Sequence, residues 1–466
     1  MDDLVDRAAT TAPGVTAVST ADPGSDQGSD PGSDQSPDEG PVRLELLPMT
    51  AEVNGEGSLA VGGVELLELA ERFGTPLFVY DEEHLRARCR EAVVAWGDGV
   101  AYATKAFLCL AMARLVHEEG MWLDVSTGGE LHVALAAGVP AARLVLHGNN
   151  KSDDELARAL GSGVGRIVVD SFDEIERLAR LVPLSSTTTD RRQAVMIRVT
   201  PGVEAHTHDF VRTGQEDSKF GFGLASGAAA DAVTRVRALP GLDLVGVHAH
   251  IGSQVFRVDS FAEEVEVLAG FFAPLGLREL CVGGGLGVAY VATETAPSIA
   301  QWAETVHRAC RGAGIPVDTV ITAEPGRSIA ASAGITLYRV GTIKELPGLR
   351  TYVAVDGGMS DNPRPVLYGS GYETFLPREA AAARPKAARL VGKHCESGDI
   401  VVADARLPRD VALGDVVATP VTGAYGYSMA SNYNKVPRPA VVFVANGEAR
   451  VVVRRETDDD LTRLDG

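Results

Sequence analysis

Basic residues are in short supply: 43 Lys and Arg face 63 Asp and Glu in 466 residues, a formal charge of -20. A surface of that sign lacks the basic face that displaces counterions from nucleic acid or meets anionic lipid, so neither is an expected partner. Cysteine is scarce too. The five, at 89, 109, 281, 310 and 395, are odd in number and without paired metal-ligand spacing, which suits a reducing compartment better than a disulfide framework. No window holds the about eighteen unbroken apolar residues of a membrane helix. The opening MDDLVDRAATTAPG carries acid where a targeting signal carries base, and a cytoplasmic location is the default expectation.

The hydrophobic content of 45 % supports two or three domains with their own cores. Residues 1–40 contribute little to them. They hold nine acidic residues and one Arg, with Asp22, Asp26, Asp30, Asp34 and Asp38 every fourth position among Gly, Ser, Pro and Gln. A helix would stack those aspartates on one face, and Pro23, Pro31 and Pro37 break it again, so a disordered acidic tail is expected.

From about residue 81 a regular alternation begins. Eight short apolar runs, VAYAT (100–104), WLDVS (122–126), RLVLH (143–147), RIVVD (166–170), AVMIRVT (194–200), LVGVHAH (244–250), ELCVG (279–283) and TVITAE (319–324), are separated by amphipathic stretches such as DDELARALGSG. Eight strands alternating with eight helices spell a parallel (β/α)8 barrel over 81–331. After 331, β-branched runs between Gly and Pro predict a C-terminal all-β domain, 332–466. The segment 41–80 contains TPLFVY, a strand able to join that domain.

Chemistry-bearing residues gather at the C-terminal ends of the barrel strands: Lys105, Asp124, His147, Asp170, Arg198, His248, His250, Gly284 and Glu324. That is where barrels of this kind build active sites. YATKAF sets Lys105 in an apolar context, where partial desolvation frees an amine for Schiff-base chemistry. VGGGLG offers backbone N–H groups to a phosphate, or else packs as a tight turn. In EPGRS, Glu324 and Arg327 either serve a ligand or form an internal ion pair. His248 and His250 in HAHIGSQ, alternating on one strand, face the same way. One can stack on an aromatic ring. A metal is not expected, because no third ligand stands at ligand spacing nearby. KHCESGD pairs the Cys395 thiol with Glu396, and turn chemistry does not account for Arg364, Tyr368 or Tyr425 in their Gly-rich loops.

Taken together and in order, YATKAF, DVSTGGE, HGNNKS, the run TPGVEAHTHDFVRTGQEDSKFGFG, HAHIGSQ, GGGLG, EPGRS, DGGMSDNPRPVLYG, CESGD and GAYGYSMASNYN resemble the diaminopimelate decarboxylases over about residues 75–440. The resemblance implies a TIM-like, alanine-racemase-like barrel with a C-terminal β domain, pyridoxal 5'-phosphate as cofactor, and a homodimer with shared active sites. Lys105 then resembles the lysine that holds the cofactor, His250 the residue stacked on its ring, and Glu324 the partner of its pyridine nitrogen. Ser253, Gly284, Gly285, Pro325, Gly326, Arg327 and Tyr425 match the remaining cofactor contacts. Arg327, Arg364 and Tyr368 resemble the grip on the substrate's distal carboxylate, with Tyr425 also among the substrate contacts, Glu396 the grip on its amine, and Cys395 the proton donor. Phe107 departs from the pattern, since many members have Asn there, which touches local packing only.

The implied reaction is decarboxylation of meso-2,6-diaminopimelate to L-lysine. Ornithine and arginine decarboxylases share the barrel but have no distal carboxylate to hold, so Arg364 and the CES triplet speak against them. A decarboxylase of a related or carrier-bound amino acid remains an alternative. A non-catalytic homologue would have lost Lys105 or Cys395, and both are present.

Overall fold

The computed structural model describes residues 39–185, 192–202 and 217–466. The acidic tail up to residue 38, and residues 203–216 of the TPGVEAHTHDFVRTGQEDSKFGFG run, lie outside the described residues. Eight parallel strands form the barrel: β1 (Ala101–Ala103), β2 (Trp122–Val125), β3 (Leu144–Leu146), β4 (Arg166–Val169), β5 (Gln193–Thr200), β6 (Leu242–Ala249), β7 (Glu279–Cys281) and β8 (Val320–Thr322). Each pairs with its sequence neighbour. β1 and β8 meet at the seam, where Ala101 N–H donates to Ala323 O at 3.0 Å and Ala103 N–H to Pro325 O at 3.1 Å. The predicted strands and the barrel class are therefore found.

The helices between them form for local reasons. Asp153–Ser162 opens with a capping box, in which Ser152 and Glu155 satisfy each other's backbone N–H groups, and ends at Gly163 with φ 76°. Its Leu156 and Ala159 are buried against the barrel. Among the described residues no helix is long and apolar enough to cross a membrane.

The β-rich part is an eight-stranded sheet ordered Ile400–Leu407, Lys386–Val391, Arg350–Val355, Gly334–Leu346, Leu77–Asp81, Ala440–Ala445 and Glu448–Val453, with Val416–Pro420 also paired to Gly334–Leu346. Leu77–Asp81, buried at all five positions, sits between Gly334–Leu346 and Ala440–Ala445. Two features differ from the sequence reading. Lys386–Val391 is an additional strand, hidden in sequence because its alanines and charged residues carry weak β propensity. Arg364–Tyr368, expected as loop, is a short helix started by Pro363 and closed by Gly369 at φ 62°.

Barrel and sheet share one core and belong to one compact unit. Phe107 is part of the reason: its ring stacks on Tyr80 of the sheet at 4.4 Å and approaches Phe443 and Tyr427. An Asn there would forfeit that apolar contact.

The segment before the sheet is pinned by two polar residues. Asp81 accepts from Thr50 N–H and O–H at 3.0 and 2.8 Å. His84 Nδ1 accepts Met49 N–H at 3.1 Å, so the ring hydrogen lies on Nε2, 3.3 Å from Ser332 Oγ. Burial pushes the His84 imidazole down to about 4, only partly opposed by Asp81. Above pH 6.5 both folded and unfolded chains keep it neutral. Between about 6.5 and 4 the unfolded chain takes up a proton that the fold refuses, so stability falls as the pH falls. The cumulative loss by pH 4 is about 3 kcal/mol for a shift of this size. Denaturant midpoints should therefore drop less between pH 7 and 4.5 in His84→Gln than in the wild type; parallel slopes would refute this origin.

Candidate active site

A cavity of about 310 Å³ opens at the C-terminal mouth of the barrel, lined among others by Lys105, Asp124, His147, Arg198, His248, His250 and Glu324. Its floor is a buried anion held by two imidazoles. His147 Nε2 lies 2.8 Å from Glu324 Oε1 and His248 Nε2 2.9 Å from Oε2. Burial alone would raise the Glu324 carboxyl, but the two rings overcome it and hold it well below the usual carboxylate range. His248 is driven down to about 4, chiefly by burial. His147 moves up, because Asp124 and Glu324 together outweigh its burial. Asp124 is itself raised to about 6 by desolvation.

His147, His248 and Glu324 are also close enough to be metal ligands. The expectation of no metal rested on the lack of a third ligand nearby in sequence, and that argument fails, because β3 and β8 bring two further groups to His248. The Nε2 atom of each ring is already bonded to the carboxylate.

One wall is glycine. A Cβ at Gly284 would stand 2.3 Å from Glu324 O, and one at Gly285, where φ is 110°, 2.1 Å from Gly252 O. The run is thus a close backbone packing as well as a cavity wall, and the two sequence alternatives coexist. Gly284 N–H donates to His250 Nδ1 at 3.1 Å, which leaves the other ring nitrogen protonated. Burial, then the cations Lys105 and Arg198, hold His250 well below its usual value, so its ring is neutral. A flat neutral ring, a side-chain-free wall and a buried anion suit a planar cationic heterocycle bearing a phosphate. The chain's own unpartnered buried atoms agree: Asp124 Oδ1, Arg327 Nε and Ser328 Oγ have no hydrogen-bond partner among the described residues, and all three residues line the cavity.

A second cavity, about 370 Å³, shares Lys105, Ser253, Arg327 and Tyr425 with the first and adds Tyr290, Arg364 and Tyr368. Arg327 donates to Tyr290 OH at 2.6 Å and to Ser253 Oγ at 2.9 Å. Arg364 donates to Tyr372 OH and Ser370 Oγ, both at 2.9 Å. The guanidiniums lie 4.7 Å from the Tyr425 and Tyr290 ring centres respectively. Both are buried, and neither is ion-paired with a carboxylate among the described residues. The alternative of a Glu324–Arg327 ion pair is set aside by these partners. Tyr425 has its backbone in the left-handed region at φ 59°, held there by its N–H on Ala106 O. Such backbone strain recurs where a side chain must be aimed.

Of the residues singled out in the sequence, Lys105, His250, Ser253, Gly284, Gly285, Glu324, Gly326, Arg327, Arg364, Tyr368 and Tyr425 line these two cavities. Pro325 lies behind the wall, its carbonyl closing the barrel seam. Lys105 stands at the mouth of the first cavity, just past the end of β1. Cys395 and Glu396 line neither cavity and are exposed on the Gly392–Asp399 loop. Sequence reading missed Lys151 in HGNNKS. Its buried ammonium binds Gly148 O, Val168 O and Glu174 Oε1, each at 2.7 Å, and so fixes the loop after β3. Tyr290, Ser370 and Tyr372 were missed as well, since their roles come only from contact with the two arginines.

Residues 82–331 match the family model described as pyridoxal-dependent decarboxylase, pyridoxal binding domain. The chain is 49 % identical to the diaminopimelate decarboxylase of Mycobacterium tuberculosis over 429 residues, covering 88 % of this chain and 95 % of that one. It is 47 % identical to that of Bacillus subtilis over 436 residues, covering 89 % and 97 %. The crystal structure of the M. jannaschii diaminopimelate decarboxylase in complex with L-lysine superposes with a TM-score of 0.82 at 32 % identity, over 90 % of this chain and 98 % of that one.

Gly285→Ala tests the wall. Both the positive φ and the carbonyl 2.1 Å from the new methyl oppose it, and overpacking of about 1–3 kcal/mol predicts a roughly tenfold or greater loss of pyridoxal phosphate affinity. Absorbance titration of the cofactor-free protein measures this; unchanged affinity would place the phosphate elsewhere.

Proposed function

The chain belongs to the pyridoxal-dependent decarboxylases and, within them, to the diaminopimelate decarboxylases; from that membership we propose the residue roles that follow. It is a carboxy-lyase that converts meso-2,6-diaminopimelate to L-lysine and CO2. The observation that carries the substrate reading is the pair of buried guanidiniums, Arg327 and Arg364, beside Lys105 and without a carboxylate of their own among the described residues. A buried cation without a counter-ion is costly, and a substrate carboxylate completes it.

Pyridoxal 5'-phosphate, held through Lys105, supplies the electron sink that makes loss of CO2 feasible. The remaining work belongs to the chain. Glu324, kept anionic by His147 and His248, would pair with the ring nitrogen, and neutral His250 would stack on the ring. Gly284, Gly285 and Tyr425 would hold the phosphate. Arg327, Arg364 and Tyr368 hold the distal carboxylate of the L-configured end, so that the D-configured carbon is presented for reaction. The C–C bond breaks, CO2 leaves, and the electron pair left behind takes up a proton at that carbon. Cys395, or else Lys105, gives that proton and regains one from solvent, while Glu396 binds the distal ammonium.

Cys395 and Glu396 stand on an exposed loop away from the cavity of their own chain, which supports a homodimer in which each site takes its cysteine loop from the partner. The free diamino-acid substrate supports a cytoplasmic location.

Incubation with meso-diaminopimelate should release CO2 and lysine; equal turnover of ornithine or arginine would overturn the substrate reading. Arg364→Ala should lower kcat/KM for diaminopimelate by about 2–4 kcal/mol, roughly 30- to 1000-fold, with cofactor absorbance unchanged. Lys105→Ala and Cys395→Ala should each be nearly inactive alone. Refolded together in equal amounts, half of the dimers are mixed and each mixed dimer has one intact site, so activity near about a quarter of wild type should return. If native mass spectrometry finds the mixed dimers and activity stays absent, the sites are not shared.

A further inference from the structure

The loop carrying Cys395 and Glu396 is exposed at both side chains, yet one neighbouring segment holds both residues. Asn434 Oδ1 lies 3.3 Å from the Cys395 backbone N–H, which donates to it, and 3.1 Å from His394 Nδ1. Tyr433 O–H donates to Glu396 Oε1 at 2.6 Å. Resting on the roles given to Cys395 and Glu396 above, we propose that Tyr433 and Asn434 are positioning residues that present those two side chains to the substrate as one unit.

The hydrogen-bond logic makes this arrangement specific. A backbone N–H can only donate, so the Asn434 atom facing Cys395 is the amide oxygen, and that oxygen cannot donate to His394. His394 Nδ1 therefore carries a hydrogen, and its Nε2 lies 2.8 Å from Ser360 Oγ. His394 is buried, and its backbone N–H donates to Asp399 Oδ2 at 2.8 Å, while Asp399 Oδ1 takes Met359 N–H at 2.6 Å. Ser431 N–H closes the circuit on Ser360 O at 2.9 Å. Three loops, around 359–361, 392–399 and 431–435, are thereby tied to one another through His394. The backbone shows the constraint: Asn434 and Lys435 are consecutive non-glycine residues in the left-handed region, at φ 52° and 54°. Asn tolerates that region better than most residues, and the surrounding bonds must still supply the cost.

Asn434→Gly in the holoenzyme deletes the acceptor and relaxes the backbone at the same time, so folding is not at risk. Asn434→Asp keeps an oxygen in place. Alkylation of Cys395 by iodoacetamide reads the loop without turnover, because the other four cysteines are buried. Asn434→Gly should change the alkylation rate at least about threefold and lower kcat roughly tenfold or more with KM nearly unchanged, as misplacement of a reacting group by about an ångström does. Asn434→Asp should restore both to within about twofold of wild type. Tyr433→Phe should raise KM severalfold and leave kcat nearly intact. Wild-type kcat in Asn434→Gly, or no recovery in Asn434→Asp, overturns the proposal. Full activity in Cys395→Ser would instead sink the proton-donor role on which it rests, and the alkylation rates would then show whether the loop is held as described.

Discussion

Two backbone hydrogen bonds across the barrel seam, from Ala101 and Ala103 to the carbonyls of Ala323 and Pro325, place the first strand beside the last. Lys105 leaves β1 two residues after one of these donors, and Glu324 and Arg327 flank one of the acceptors. The seam thereby gathers the lysine, the carboxylate and the guanidinium, more than 200 residues apart in the chain, at one mouth. Gly326 belongs to the same closure: a Cβ there would meet Ala103 Cβ at 2.9 Å. A parallel barrel presents the C-terminal ends of all its strands on one face, so every loop that carries chemistry opens into a common space.

Charge is arranged in that space with opposite logic at its two ends. The floor is satisfied: Glu324 has a ring nitrogen on each oxygen, and its anionic state is secured inside the chain. The upper part is left unsatisfied, since Arg327 and Arg364 have hydroxyl and aromatic partners and no carboxylate among the described residues. A completed network preserves its geometry whether or not a ligand is bound, whereas an incomplete one draws in the ion it lacks. The floor thus suits a resident group and the upper part an exchanging substrate.

The glycine wall and the left-handed Tyr425 serve the same economy of space. Neighbouring backbones approach so closely at Gly284 and Gly285 that any side chain would displace them, and Tyr425 is bent to bring its ring against Arg327. Lys151 works farther out. Its ammonium spans the loop after β3 and the end of β4, and Glu174 on the following helix supplies its counter-charge, so the residues between His147 and Ser152 keep their place beside the cavity.

The sequence by itself determined the barrel, because eight apolar runs with amphipathic stretches between them admit few other folds. It also determined the identity of most cavity residues, because GGGLG, EPGRS, HAHIGSQ and YATKAF are contiguous and each sits at a strand end. Where the signal was not contiguous it failed. Lys386–Val391 is a strand by virtue of its neighbours, not its propensity, and the short helix at Arg364 forms where Pro363 and Gly369 bound a five-residue turn of chain. The third group near His248 was invisible because His147 and Glu324 lie 101 and 76 residues away. Only the tertiary structure decided that Glu324 pairs with two histidines and not with Arg327, and that Cys395 stands outside its own chain's cavity. Periodicity records which face of an element is buried, whereas pairing between distant polar groups depends on how the elements are brought together in space.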